Sequence, residues 1–176
     1  MSLRIERIST ASLSRSSYAA IVELCDAAYE ESTGPYFEAI GPGDHLLGWI
    51  DQTLVSHLMW VPRWLRIADG PLLHTAYIEL VATATSAQRK GYATQLLAAV
   101  PLLIQEFDIA ALSPATDNLY LRLGWEYWRG PLSTRKDGQF IAGPEERVMV
   151  LSLPRTPANL DRDLPLSIEW RPGEVW

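Results

Sequence analysis

The chain has 176 residues, is 48% hydrophobic, and carries a formal net charge of -6 from 15 Lys plus Arg against 21 Asp plus Glu. That length and apolar content suit one compact domain over residues 1–176, and no stretch is long or apolar enough to span a membrane. An acidic chain without a Lys/Arg cluster argues against nucleic acid or anionic lipid as a partner and favours a cationic small molecule, while a single cysteine and an N-terminus interrupted by charges fit a cytoplasmic protein.

Leu3–Ile8 reads as a first strand. Tyr18, Ile21, Val22, Cys25, Ala28 and Tyr29 then fall on one helical face, with Ser14, Ser16 and Ser17 as sources of an N-cap oxygen. Gly34-Pro35 and Gly41-Pro42-Gly43 break the chain, leaving one helical turn at Tyr36–Ile40. Leu46–Ile50 and Leu54–Ile67 read as a hairpin turning at Asp51-Gln52, and Leu72–Ala84 as the next strand. Ala93, Leu96, Leu97, Val100, Ile104 and Phe107 resume the helical period, with Pro101 expected to kink or restart that helix. Ile109–Leu112 is a short buried strand, Ser113-Pro114 opens a short helix running to about Leu123, and Gly124 closes it. Trp125–Trp128 and Glu146–Leu153 are expected to pair antiparallel around a loop at Arg135–Gly143. The proline-rich tail 154–176 is expected to wrap over the domain without adding to its core.

Two segments carry chemistry. Tyr77-Ile78-Glu79-Leu80-Val81-Ala82-Thr83 is an apolar strand holding one carboxylate, followed by a polar turn with the pattern Q-x-x-G-x-A and then a helix. A pyrophosphate needs several backbone N–H groups converging on one place, and a helix N-terminus after a glycine turn supplies them with the positive end of the helix dipole. Gln88, Arg89, Lys90, Gly91, Tyr92, Ala93 and Thr94 are the candidates for that cradle. Glu79 in an apolar strand is costly unless it is paired or faces a cleft, which marks it as a candidate base. The second segment is Asn118–Trp125, where Tyr120 stands on a short helix four residues before Gly124. A phenol with a pKa near ~10 is protonated at neutral pH and is able to donate to a leaving group.

These two segments, in this order, resemble the GNAT acyl-CoA acetyltransferase superfamily. The resemblance implies an α/β (α+β) fold with a mixed central sheet of about six to seven strands, splayed around acetyl-CoA and flanked by about four helices. It implies acetyl-CoA as cosubstrate with no metal, its pantetheine arm pairing near Val81 and Thr83. The C-terminal segment narrows the likeness. W-R-x-G-[DE]-V-W at Trp170–Trp176, W-x-x-W-x-G-P-x-S from Trp125 to Ser133, and the run Ala111–Ser113 look like the aminoglycoside 2'-N-acetyltransferases over about Tyr77–Trp176. That family implies Glu79 as the base acting through water, Tyr120 as the acid, and Glu174 and Trp176 at the amine-binding end, with Ser113 in the matching run as a substrate-binding residue. Glu30 and Glu31, at the end of the first helix, are further amine-binding candidates, with a solvated helix end as the alternative reading. A Pro172-Gly173 type II turn would fold Trp176 back onto the body. The N-terminal half has few acids outside Glu30, Glu31, Glu38, Asp44 and Asp51. This points to an aminoglycoside with fewer charges, such as kasugamycin. A GNAT enzyme for another small amine and a non-catalytic acyl-CoA-binding module are the alternatives, and a homodimer is compatible with the superfamily. Cys25 reads as a buried inert thiol, the three histidines lack metal-ligand spacing, and Trp49, Trp60 and Trp64 read as sheet or cleft residues.

Overall fold

The computed structural model describes residues 2–143 and 147–176. They form two compact units, one of Met1–Val61 with Ile78–Val100, the other of Pro62–Tyr77 with Pro101–Trp176. The strand start expected at Glu146 lies outside the described residues. Among those residues the class is mixed α/β with four α-helices and ten strands, more strands than the six to seven expected, the excess falling in the C-terminal segments.

In the first unit, β1 (Arg4–Ser9) pairs antiparallel with β2 (Asp44–Ile50), which pairs antiparallel with the opening part of β3 (Thr53–Ile67). Helix α1 (Arg15–Tyr29) starts where Ser14 Oγ accepts the Ser17 N–H at 3.0 Å, and it buries Ile21, Leu24 and Cys25 as the spacing requires. Helix α2 (Gly34–Ile40) is longer than the single turn expected, because Pro35 stands in its first turn, where no hydrogen bond is lost. Just before it, Thr33 donates from N and Oγ1 to Asp26 Oδ1 at 2.7 and 2.6 Å. These bonds, the hydroxyl's first, hold the Asp26 carboxyl below the usual range.

The β2–β3 register sets His45 opposite Met59 and His57 opposite Leu47, so the two imidazoles are diagonal neighbours on one buried face. His45 Nδ1 lies 3.0 Å from His57 Nε2. Burial pushes His45 down to about 4 against an opposing pull from Asp44. Burial, then the neighbouring His45, pushes His57 down to about 3 against its bond to the Leu80 carbonyl. Cys25 is fully buried, and desolvation raises its thiol to about 12, as an inert core residue requires.

Helix α3 (Tyr92–Leu103) continues through Pro101 and stops two residues later. The proline therefore falls in the last turn instead of restarting a helix, and Ile104 and Phe107 are buried beyond the helix end in a turn closed by Phe107 N–H to Ile104 O at 3.1 Å.

With the part of β3 after Val61 and the part of β4 before Ile78, the second unit has the strand order β6-β9-β5-β4-β3-β10-β7-β8. Here β4 is Leu72–Thr83, β5 Ile109–Leu112, β6 Glu126–Tyr127, β7 Leu132–Lys136, β8 Gln139–Ala142, β9 Met149–Ser152 and β10 Leu166–Glu169. The β4–β5 and β10–β7 pairs are parallel and the β5–β9, β6–β9, β7–β8 and β10–β3 pairs antiparallel, which makes the sheet mixed.

Three expectations change in this unit. The short helix α4 is Asp117–Leu121, preceded by Thr116, so Ser113-Pro114 does not open it. Arg135–Gly143 is not a loop: its two ends belong to a β7–β8 hairpin turning on Asp137 and Gly138, both at positive φ. The tail contributes to the core, because β10 lies between β3 and β7 with Leu166, Ser167 and Ile168 buried. Leu166–Glu169 alternates apolar and polar residues as a strand should, but it is too short a run to stand out from a proline-rich segment.

Ile168→Ala, at a fully buried position, should lower the unfolding free energy by about 2–5 kcal/mol, whereas a tail lying on the surface would give under about 0.5 in the same denaturant titration. The histidine pair should make stability fall with acid. As pH drops through about 6.5 the unfolded chain protonates both rings while the folded chain does not, so stability declines from about pH 6.5 downward by up to roughly 3 kcal/mol per pH unit. Unfolding titrations between about pH 7 and about pH 5, above most carboxylate titration, should show that slope in the wild type and lose it in a His45→Asn/His57→Asn double variant.

Candidate active site

Strand β4 carries Glu79 within the mainly apolar run Ala76–Ala82, and the residue is only 7% exposed. Its Oε2 accepts the hydroxyl of Tyr36 at 2.8 Å. Residue 80 departs from strand geometry: Leu80 has φ +50°, a left-handed conformation unfavourable for a leucine. Its carbonyl accepts from His57 Nδ1 at 3.0 Å, and one residue further the Val81 carbonyl accepts the Tyr29 hydroxyl at 3.1 Å. The strand is thus tied at Glu79, Leu80 and Val81 in succession, with Tyr29 at the end of α1 and Tyr36 in the first turn of α2.

Beyond these residues Ser56 Oγ donates to the Ala82 carbonyl at 3.0 Å and lies 2.9 Å from Thr83 Oγ1. The pairing of β4 with β5 runs from Thr75↔Ile109 to Tyr77↔Ala111, and Ile78–Thr83 lies past that paired segment. A strand that outruns its neighbour presents main-chain donors and acceptors to a ligand.

The turn after β4 has the features a phosphate cradle needs. A 3-10 turn at Thr85–Ala87 is followed by Arg89 at φ +60° and Gly91 at φ +81°, then by the first turn of α3, where Gln95 N–H bonds Gly91 O at 3.0 Å. Left-handed residues in the turn direct successive N–H groups to one side, and nothing lies within 4 Å of where a Cβ on Gly91 would stand. Gln88, Arg89, Lys90 and Thr94 are exposed, and Tyr92 and Ala93 half-buried. The residues present therefore fit a pyrophosphate. The first unit thus holds Glu79, Val81, Thr83 and 88–94 in one continuous segment, together with Glu30 and Glu31, which are exposed at the end of α1 with Glu30 at φ +59°.

The second unit holds Tyr120, Ser113, Glu174 and Trp176. Tyr120 is buried on α4, edge-on to Trp125 at 6.1 Å, and burial raises its phenol to about 12. It therefore keeps its proton across the neutral range. Ser113 Oγ lies 3.2 Å from the Tyr77 hydroxyl. Trp176 is buried while Glu174 is exposed, and Gly173 at φ +75° fits the type II turn expected there.

The last segment is held by Arg63. This nearly buried guanidinium donates from Nε to Glu169 Oε1 at 2.6 Å, and from its terminal nitrogens to the Glu169 carbonyl at 2.6 Å and the Val175 carbonyl at 3.0 Å. Burial, then the nearby Arg171, lowers its pKa, while Glu169 opposes the shift. Arg171 Nε donates to the Glu174 carbonyl at 2.6 Å. Of the tryptophans singled out, Trp60 is core, Trp49 is half-buried under Arg4, and Trp64 is exposed beside His74 at 4.9 Å.

Sequence reasoning missed Tyr36, Tyr29, His57 and Arg63. Nothing in the spacing of a tyrosine in a Gly-Pro break, or of a histidine in a hairpin strand, signals its partner on β4. Arg63 alone carried a signal, a charge within an apolar strand run.

An acetyltransferase (GNAT) domain model matches residues 9–128. The chain is 32% identical over 130 residues to an aminoglycoside 2'-N-acetyltransferase of Mycolicibacterium fortuitum, a match covering 70% of this chain and 66% of that protein. The fold is similar to that of Eis1 from Mycobacterium abscessus, with a TM-score of 0.59 and 16% identity over 74% of this chain and 32% of that one. It is also similar to a GNAT family acetyltransferase from Brucella melitensis solved with acetyl-CoA, with a TM-score of 0.54 and 14% identity over 71% of this chain and 83% of that one. The chain thus spans about two thirds of the curated relative and about a third of the first structural neighbour. Among the described residues no cluster of three His, Cys, Asp or Glu is placed to hold a metal ion, and no helix is long and apolar enough to cross a membrane.

Proposed function

This chain belongs to the GNAT acetyltransferase family and is an acetyltransferase of that type, and from that premise we propose that it moves acetyl from acetyl-CoA to the 2'-amino group of an aminoglycoside by direct attack in a ternary complex. The observation that carries the reading is Glu79, a nearly buried carboxylate on an apolar strand, oriented by a phenol and placed two residues before Val81. The relative's activity supports the substrate class.

An amine that arrives as an ammonium has no lone pair for attack. Glu79 attracts the cation, and its carboxylate takes the released proton through a water. With Tyr36 bonded to Oε2, that oxygen is held in place and the carboxylate keeps one orientation. The amine nitrogen forms a bond to the thioester carbonyl carbon and the carbon–sulfur bond breaks. The departing thiolate takes its proton from Tyr120, whose phenol burial keeps protonated. The main chain at Val81 and Thr83 pairs with the pantetheine arm, and the turn 88–94 binds the pyrophosphate through N–H groups and the charges of Arg89 and Lys90. Ser113, Glu174, Trp176, Glu30 and Glu31 are assigned to the aminoglycoside.

The drug is one of low charge, such as kasugamycin. Two carboxylates of the first unit are engaged within the protein, Asp26 by Thr33 and Asp44 by Arg7 at 3.1 Å, which leaves fewer for a polycation.

Thiol release from acetyl-CoA over an aminoglycoside panel tests the reading. A 2'-amino drug should be turned over and drugs lacking that amine should not. Glu79→Gln should lower kcat by roughly a hundredfold or more while acetyl-CoA still binds, and Tyr120→Phe by roughly tenfold or more. Turnover confined to polyamines or simple amino sugars would move the substrate class, and kanamycin- or gentamicin-type drugs acetylated with kasugamycin untouched would remove the low-charge assignment.

A further inference from the structure

We propose that His57 and His45, with Thr10, are positioning residues for acetyl transfer: a buried imidazole chain that holds the Leu80 carbonyl and so keeps β4 in the bent form that presents Glu79 and Val81. The proposal rests on the reading of Glu79 and the β4 main chain as the reacting edge, and not on the identity of the amine.

The hydrogen-bond accounting fixes the chain in one direction. Leu80 O is only an acceptor, so the His57 Nδ1 that approaches it at 3.0 Å carries the proton. A neutral ring then has its lone pair on Nε2, and His45 Nδ1, 3.0 Å away, must donate to it. His45 Nε2 is in turn an acceptor 3.0 Å from Thr10 Oγ1; that hydroxyl also lies 3.0 Å from the Gly43 carbonyl, and with both rings neutral its one proton goes to the imidazole. That hydroxyl accepts the Gly43 N–H at 3.0 Å, and the Gly43 carbonyl takes the Thr10 N–H at 2.9 Å. Every polar atom along the chain is satisfied with both rings neutral and both in the Nδ1–H tautomer. Protonating His57, or flipping either tautomer alone, sets two N–H groups or two lone pairs face to face, whereas a proton on His45 Nε2 would turn the Thr10 hydroxyl onto the Gly43 carbonyl 3.0 Å away.

The chain is anchored at its Thr10 end. Thr10 opens the turn after β1 and is bonded to Gly43, whose backbone packs so closely on β3 that a Cβ there would meet the Trp60 carbonyl at 2.1 Å. Its other end bears on Leu80, whose left-handed conformation is unfavourable for a leucine and persists only if its surroundings hold it. Phe37 lies against both rings, at 6.3 Å from His45 and 6.0 Å from His57, and the adjacent Tyr36 donates to Glu79. Cys25 Sγ, 3.7 Å from His57 Nδ1, closes the remaining side. The imidazoles thus reach Glu79 by two routes, through the Leu80 backbone and through α2.

The test compares His57→Asn, whose amide N–H is able to stand near the Nδ1 position, with His57→Leu, which fills the space without a donor. His57→Leu should lose roughly tenfold or more in kcat on whichever amine the wild type acetylates, with a smaller loss of acetyl-CoA affinity, because the Val81 main chain shifts while the turn 88–94 is untouched. His57→Asn should recover most of that kcat even though its Tm is no higher than that of His57→Leu. Equal kcat in the two variants, or kcat that merely follows Tm, overturns the proposal. Nitrogen-15 NMR of the ring nitrogens in the wild type supplies a readout independent of turnover: both rings should be neutral Nδ1–H tautomers at about pH 7, and His45→Leu should shift His57 from that state. An Nε2–H tautomer or an imidazolium at His57 in the wild type overturns the proposal whatever the enzyme acetylates. Failure of the aminoglycoside reading shows instead as an unchanged NMR result with no turnover of a 2'-amino drug.

Discussion

The first unit depends on one unfavourable backbone conformation. Leu80 takes a left-handed φ in the middle of a buried apolar strand, where glycine would be the unstrained choice. A left-handed residue turns the strand locally, so its neighbours do not follow regular pleating. Leucine at this site adds a nearly buried apolar side chain that glycine would lack, and burial of that size contributes about 1.5–3 kcal/mol, comparable to the strain. The remaining restraint is polar: the carbonyl that the bend exposes is met by an imidazole and is not left unsatisfied in the interior.

The second unit solves a different problem, that of holding an irregular tail without a helix. Arg63 gathers the Glu169 carboxylate and two carbonyls of the last segment, while Arg135 donates to Ser167 O and Oγ at 2.6 and 2.7 Å. An arginine is suited to this because its planar fork donates in several directions and stays charged when buried. Burial weakens the charged form of Arg63, and Glu169 offsets that cost from a partly exposed position. The pair gives the segment one defined path, with Trp176 buried at its end.

Much of the scaffold was legible because it is written in local periodicity. The stripe of α1, the hairpin turning at Asp51, the motif strand and the helix after Gly91 all lie where spacing put them. The misreadings share a cause. Ser113-Pro114 has the chemistry of a helix start, but helix formation waits until Thr116, and the Arg135–Gly143 hairpin is polar and exposed enough to read as a loop. β10 hides in a proline-rich tail because four residues carry too little periodic signal, and its burial comes from β3 and β7, which are remote in sequence. For the site, the turn 88–94 and Glu79 could be singled out from their own neighbourhood. Tyr36 and His57 could not, since each acts on a β4 residue more than twenty positions away.

By itself the sequence determined the run of elements from the first strand to the helix after Gly91, the glycine-containing turn between β4 and that helix, the presence of a carboxylate on an apolar strand and the family to which these belong. Tertiary structure alone decided that Leu80 is left-handed, that Glu79 is bonded by Tyr36, and that two histidines twelve residues apart form one hydrogen-bonded chain. The physical reason is that periodicity and turn chemistry act over a few residues, whereas strand register brings distant donors to distant acceptors. A histidine's role follows from which carbonyl faces it, and that is a property of the register.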